Sequence, residues 1–148
     1  LAIPPLQYLE AAFTGVMQAS IDTEKKLLEI SRQFLKFCLS HKSMVTVIFN
    51  VHAVRVDEPE PEGELNQLRL RIFRYLTEGV QQVIPAQSEE ERINLARVYF
   101  FMLNGMVMTY LNNEEPLEQL FERILPLLDQ SVEIVLLGMV KKRELSAE

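Results

Sequence analysis

The sequence predicts an all-α fold, a single bundle of six helices. Glycine is rare, at 5 of 148 residues. No stretch alternates apolar and polar residues over the length of a strand. Apolar residues instead recur every three to four positions through most of the chain, the period of a helix with one buried side. The length suits one domain over 1–148, and a chain of this size buries roughly two thirds of its unfolded surface.

The first helix is expected over about Leu6 to Ala19, after Pro4 and Pro5. The second starts at Asp22, whose side chain suits the free N–H groups of a first turn. It sets Leu27, Ile30, Phe34, Phe37 and His41 on one face and ends near "SHKS". The third, about Ser43 to Arg55, is apolar nearly all round; its β-branched residues also suit a strand, but a lone strand has nothing to pair with. The acidic "DEPEPEGE" at 57–64 is a loop by composition. A fourth helix follows to about Val83, carrying Leu65, Leu68, Ile72, Leu76 and Val83 on one side. Ser88 and Glu91 have the Ser-x-x-Glu spacing of a capping box and open the fifth helix, which runs to about Asn112. The sixth spans about Pro116 to Lys142, with a bend expected at Pro126, which lacks an N–H and clashes one turn back.

The last two helices carry more apolar surface than one face can hold. On the fifth, Ile93, Ala96, Phe100, Leu103, Val107 and Leu111 make one stripe. Leu95, Val98, Met102, Gly105, Met106 and Thr109 make a second. The sixth sets Leu117, Leu120, Ile124, Leu128, Ser131, Val135 and Gly138 beside Leu125, Val132, Leu136 and Met139. One side of each helix packs on the chain's own core. The other calls for a second cover, which a two-fold partner chain supplies. Gly105, Ser131 and Gly138 are small enough for close approach. A homodimer is therefore expected, with Val98, Gly105, Met106, Thr109, Leu128, Ser131, Val132, Val135, Gly138 and Met139 at its seam. The alternative is a monomer with both helices at its middle, with only six helices available to bury them.

Composition excludes several classes of function. The net charge of −6, with no basic stripe, argues against nucleic acid as the partner of this segment. Leu95 to Leu111 is apolar but contains Arg97 and Asn104 and falls short of the ~20 residues of a spanning helix, so no membrane partner is expected. Cys38 is the only cysteine, which rules out an internal disulfide and points to a reducing cytoplasm. His41 and His52 would stand about 16 Å apart on one helix, too far to share a metal. No metal, cofactor or catalytic constellation is expected. Cys38 has no neighbouring base and reads as a buried, inert thiol. Asp129 and Glu133 are one turn apart, but with Glu122 nearby they read as a solvated face.

What remains resembles the inventory of a pocket. Phe34, Phe37, Phe49, Phe73, Phe101 and Met102 are apolar groups suited to a wall, and His52 and Asn104 are polar points inside apolar helices. Ligand pockets have this make-up. An ordinary core in which neighbours satisfy both polar groups has it too.

The order and texture of these helices are familiar. "EKKLLEISRQFLKFCLSHKSMVTVIF" (24–49) resembles the stretch of TetR-family transcriptional regulators where a long helix turns into a short hydrophobic one. "INLARVYFFMLNGMVMTYL" (93–111) resembles their penultimate helix and "PLEQLFERILPLLDQSVEIVLLGM" (116–139) their last. The resemblance covers nearly the whole chain, as the C-terminal ligand-binding and dimerisation domain. It implies that the last two helices of two subunits form a four-helix seam, and that the far side of the penultimate helix borders a ligand cavity. No residues match the family's basic N-terminal helix-turn-helix domain. The chain also lacks an initiator Met and reads as part of something longer, so operator DNA would be reached only through that missing domain. The expected effector is a largely hydrophobic small molecule, held between the second to fifth helices. An anionic one is disfavoured, because no arginine or lysine falls among the wall residues. Two other readings compete: a dimeric helical scaffold with no small-molecule site, and a small helical enzyme, for which no acid, base or nucleophile is in place.

Overall fold

The structure, a computed structural model, describes residues 3–49 and 63–147. It is all-helical, with six helices: α1 (Ile3–Gln18), α2 (Thr23–Ser40), α3 (Lys42–Phe49), α4 (Glu64–Val83), α5 (Glu89–Tyr110) and α6 (Leu117–Ser146). The helix expected to start at Leu6 starts at Ile3 and takes Pro4 and Pro5 into its first turn, where a missing N–H costs nothing. Residues 50–55, expected to continue α3, lie outside the described residues.

Two expected local signals turn out differently. Asp22 occupies the N-cap position of α2, but its side chain makes no capping bond. Ser88 does cap α5, accepting from the Glu91 N–H at 3.1 Å. The reciprocal half of the box is absent, because the Glu91 carboxylate pairs with Arg143 of α6 instead. Pro126 does not end a helix: α6 continues through it to Ser146. Pro126 and Glu122 are both exposed, so water can meet the Glu122 carbonyl that loses its intrahelical partner.

The second helix is the mast of the bundle. It touches each of the other five helices, whereas among the described residues α6 packs mainly on α2 and α5. Leu27, Ile30, Phe34, Leu35, Phe37, Cys38 and Leu39 are all buried, spread around much of the α2 circumference. Leu6, Leu9 and Phe13 of α1 and Leu68, Ile72, Leu76 and Val80 of α4 complete the core on one side. Gly79 of α4 lies against α2, where an added Cβ would stand 3.0 Å from Leu27 Cδ1. From the other side come Tyr99, Leu103 and Val107 of α5 and Leu120, Ile124, Leu128, Val132, Leu136 and Met139 of α6.

Polar contacts fix how the outer helices are set on this mast. Arg32 of α2 holds Asp129 of α6 with two donors on one guanidinium edge, Nε 2.9 Å from Oδ1 and Nη2 on Oδ2. Asp129 thus serves a pair between helices, contrary to its expected place on a solvated face. The Arg143–Glu91 pair ties α6 to the start of α5, and Arg71–Glu10 ties α4 to α1. Deep inside, the Ser31 hydroxyl donates to the Leu27 carbonyl at 2.7 Å. Its single proton is then committed, so the Tyr99 hydroxyl, 2.5 Å away, donates to Ser31 Oγ. Burial pushes the Tyr99 phenol up from its ordinary pKa, with the Ser31 bond opposing in part, so it stays protonated and a donor. This bond sets the rotation of α5 against α2. Removing the hydroxyl in Tyr99→Phe should cost about 1 kcal/mol and lower the melting temperature by about 3 °C for a chain of this size. Thermal denaturation checks it; an unchanged or raised melting temperature would mean that the bond adds nothing.

Candidate functional site

Two places answer to the expected site residues, and they lie on different sides of α5. The first is aromatic and internal. Phe34 of α2 and Phe73 of α4 are buried with ring centroids 6.2 Å apart. The third ring is Phe100, which meets Phe73 edge-on at 4.7 Å and Phe34 at 6.3 Å. Phe37 is buried too, but stacks on the His41 ring at 4.6 Å. Met102 is half-buried against the core. Asn104, one turn after Phe100, is half-buried, and its Oδ1 is shielded from solvent with no hydrogen-bond partner among the described residues. His52 lies outside the described residues. Phe49 ends α3, and its side chain lies outside them as well.

Phe101 is the clear departure. Expected as a wall of the pocket, it is 64% exposed and points away from the core. α5 packs inward along Tyr99, Leu103 and Val107, with Phe100 beside that line, and Phe101, about 100° further round the helix, falls outside it. Sequence reasoning also missed Arg69, which is only 5% exposed. Its guanidinium sits 5.8 Å from the centroid of the Phe73 ring, and burial lowers its pKa from the ordinary arginine value. A cation therefore borders the aromatic cluster, which removes the reason for disfavouring an anionic ligand. The signal was the i, i+4 spacing of Arg69 and Phe73, which puts both on one face of α4.

The second place is the outer face of α5 and α6. Val98, Phe101 and Met108 of α5 and Leu127, Ile134 and Leu137 of α6 are all exposed, the last two by 60% and 61%. Of the residues expected at a seam, Val98, Gly105, Thr109 and Gly138 are exposed and Met106, Ser131 and Val135 are half-buried. Leu128, Val132 and Met139 are not available to a partner, because they lie in the chain's own core. The outward residues of α6 are Leu127, Ile134 and Leu137 instead. Apolar residues surround α6, so periodicity left its phase open, and packing on α2 and α5 decided it. A Cβ added at Gly105 or Gly138 would meet nothing within 4 Å. Glycine inside a helix costs about 1 kcal/mol relative to alanine, and nothing within the described chain requires it at either position.

Beside Val98 and Gly138, a cleft of about 640 Å³ opens where the start of α5 meets the end of α6. Leu95, Val98, Val135 and Met139 supply apolar lining; Glu90, Asn94 and Lys142 are among its polar groups. Ser88 and the paired Glu91 and Arg143 also border it. The volume is within the usual range for a ligand site.

No cluster of three metal-ligating side chains occurs among the described residues, and no described helix is long and apolar enough to cross a membrane. Cys38 is buried, and burial raises its thiol far above the ordinary value. Comparison with protein-family models, with curated proteins and with solved structures found no match.

The raised thiol gives a direct expectation. The nucleophile is the thiolate, so Cys38 should resist maleimide at pH 8 in the folded chain and react fully once the chain is denatured. Mass spectrometry reads the adduct; stoichiometric labelling without denaturant would contradict this placement.

Proposed function

We propose that this chain is the effector-binding and dimerisation domain of a TetR-like transcriptional regulator, with two copies joined through the outer faces of α5 and α6. The observation that carries the reading is the exposed apolar face of those two helices. Val98, Phe101, Met108, Leu127, Ile134 and Leu137 together expose on the order of 600 Å², most of the ~800 Å² per partner of a standard interface before any polar rim is counted. The outward Gly105 and Gly138 suit close approach of a second pair of helices. The order and texture of the helices support the family resemblance, and operator DNA would be read by a separate N-terminal domain.

The effector site is the aromatic cluster on the other side of α5. A hydrophobic small molecule there would rest on Phe34, Phe73 and Phe100, with a polar group directed to Asn104. Its action is a population shift: the ligand favours one setting of α5, and hence one spacing of the DNA-reading domains, by the difference in its affinity for the two. One observation favours a second reading, a dimeric helical scaffold without a ligand. The three rings already pack edge-on against one another, as in an ordinary core.

Sedimentation tests the dimer. The chain should sediment as a dimer at tens of micromolar, far above the dissociation constant of a tight pair. Leu137→Glu, on an exposed residue, should give a folded monomer. Leu128→Glu places a charge in the chain's own core and should prevent folding altogether. A monomeric unmutated chain would sink the reading. Thermal shift against a panel of apolar aromatic and fatty compounds tests the effector. A true ligand at a hundredfold excess over its dissociation constant adds about 2.7 kcal/mol of stability, and no shift with any compound favours the scaffold.

A further inference from the structure

We propose that the cleft between the start of α5 and the end of α6 is a socket for Phe101 of a second copy of this chain. This rests on the dimer reading above and specifies how the two faces interlock. A two-fold interface uses one patch twice, so every projection on it must find its hollow on the same patch. Here both lie side by side. Phe101 is the largest exposed apolar side chain on the outer face of α5. Val98, which lines the cleft, stands three residues before it on the same side of the helix.

The hollow suits the projection chemically. Its apolar lining of Leu95, Val98, Val135 and Met139 can take a phenyl ring out of water. Gly138 also lines the cleft and has open space where a Cβ would stand, so a partner can approach to backbone distance there. A seam that left this cleft of about 640 Å³ unfilled would hold water there, whereas interface cores pack as densely as protein interiors. An aromatic side chain seated in a desolvated pocket is the usual form of a dominant interface contact. The cleft is larger than one ring, and the partner's Leu137 can share it.

The test uses the full chain with Asn94→Cys as a reporter, since Asn94 is an exposed residue of the cleft and Cys38 is buried. Maleimide labelling is timed in the dimer and in a Leu137→Glu monomer, and the dimer dissociation constant is measured with and without Phe101→Ala. Phe101 is exposed, so its removal leaves the fold intact, which circular dichroism verifies. The expected result is labelling at least about tenfold slower in the dimer than in the monomer, and a dissociation constant weakened about thirtyfold or more by Phe101→Ala, the scale of an aromatic anchor. A dimer labelled at the monomer's rate, or one whose affinity ignores Phe101→Ala, overturns the socket and leaves the dimer standing. An unmutated chain that is monomeric overturns both.

Discussion

The sixth helix is held to the rest of the chain along one side only, and most of what is distinctive in this structure follows from that. A helix of 30 residues is about 45 Å long, and among the described residues it packs mainly against α2 and α5. Its inward residues run at nearly every fourth position from Leu120 to Leu136. The Arg32–Asp129 and Arg143–Glu91 pairs hold its register at the middle and near the end. The opposite side still carries Leu127, Ile134 and Leu137. Apolar area on this scale stands at the upper end of what a monomer exposes, and the proposed reading covers it with a second copy.

The fifth helix transmits this condition inward. The Tyr99–Ser31 bond fixes its rotation on α2, and that rotation sends Phe100 into the aromatic cluster and Phe101 outward. On the proposed reading, α5 has a core on one side and a partner on the other and needs no polar face, which would account for the low polarity of residues 99–110. On that reading, the same rigidity links function to assembly. A ligand that displaces Phe100 must turn or shift α5, and Phe101 moves with it.

The number and order of the helices were legible because long runs with a 3.6-residue period leave little choice. Ser88 marked the start of α5 because its side chain is the one that caps it. The phase of α5 and α6 was not legible in the same way. Both are apolar over most of their circumference, so Phe101 could be taken for an inward residue and Leu128 for an outward one. Only packing against α2 and α4 separates Phe100 from Phe101, and packing couples residues far apart in sequence. Glu91 was ambiguous for a related reason: its spacing from Ser88 fits a local cap, but a guanidinium 52 residues further on takes its carboxylate. Arg69 escaped notice because charge argues for the surface, and its burial beside the ring of Phe73 arises only from tertiary packing.

On the proposed reading, a second copy covers the outer face of α5 and α6. Carbene footprinting of the unmutated chain, at concentrations above and below its association range, reads that cover side chain by side chain. Val98, Phe101, Met108, Ile134 and Leu137 should lose label as concentration rises. Tyr8, which is 80% exposed on α1, should label equally throughout. Labelling of the α5 and α6 residues that stays as constant as that of Tyr8 would contradict the account.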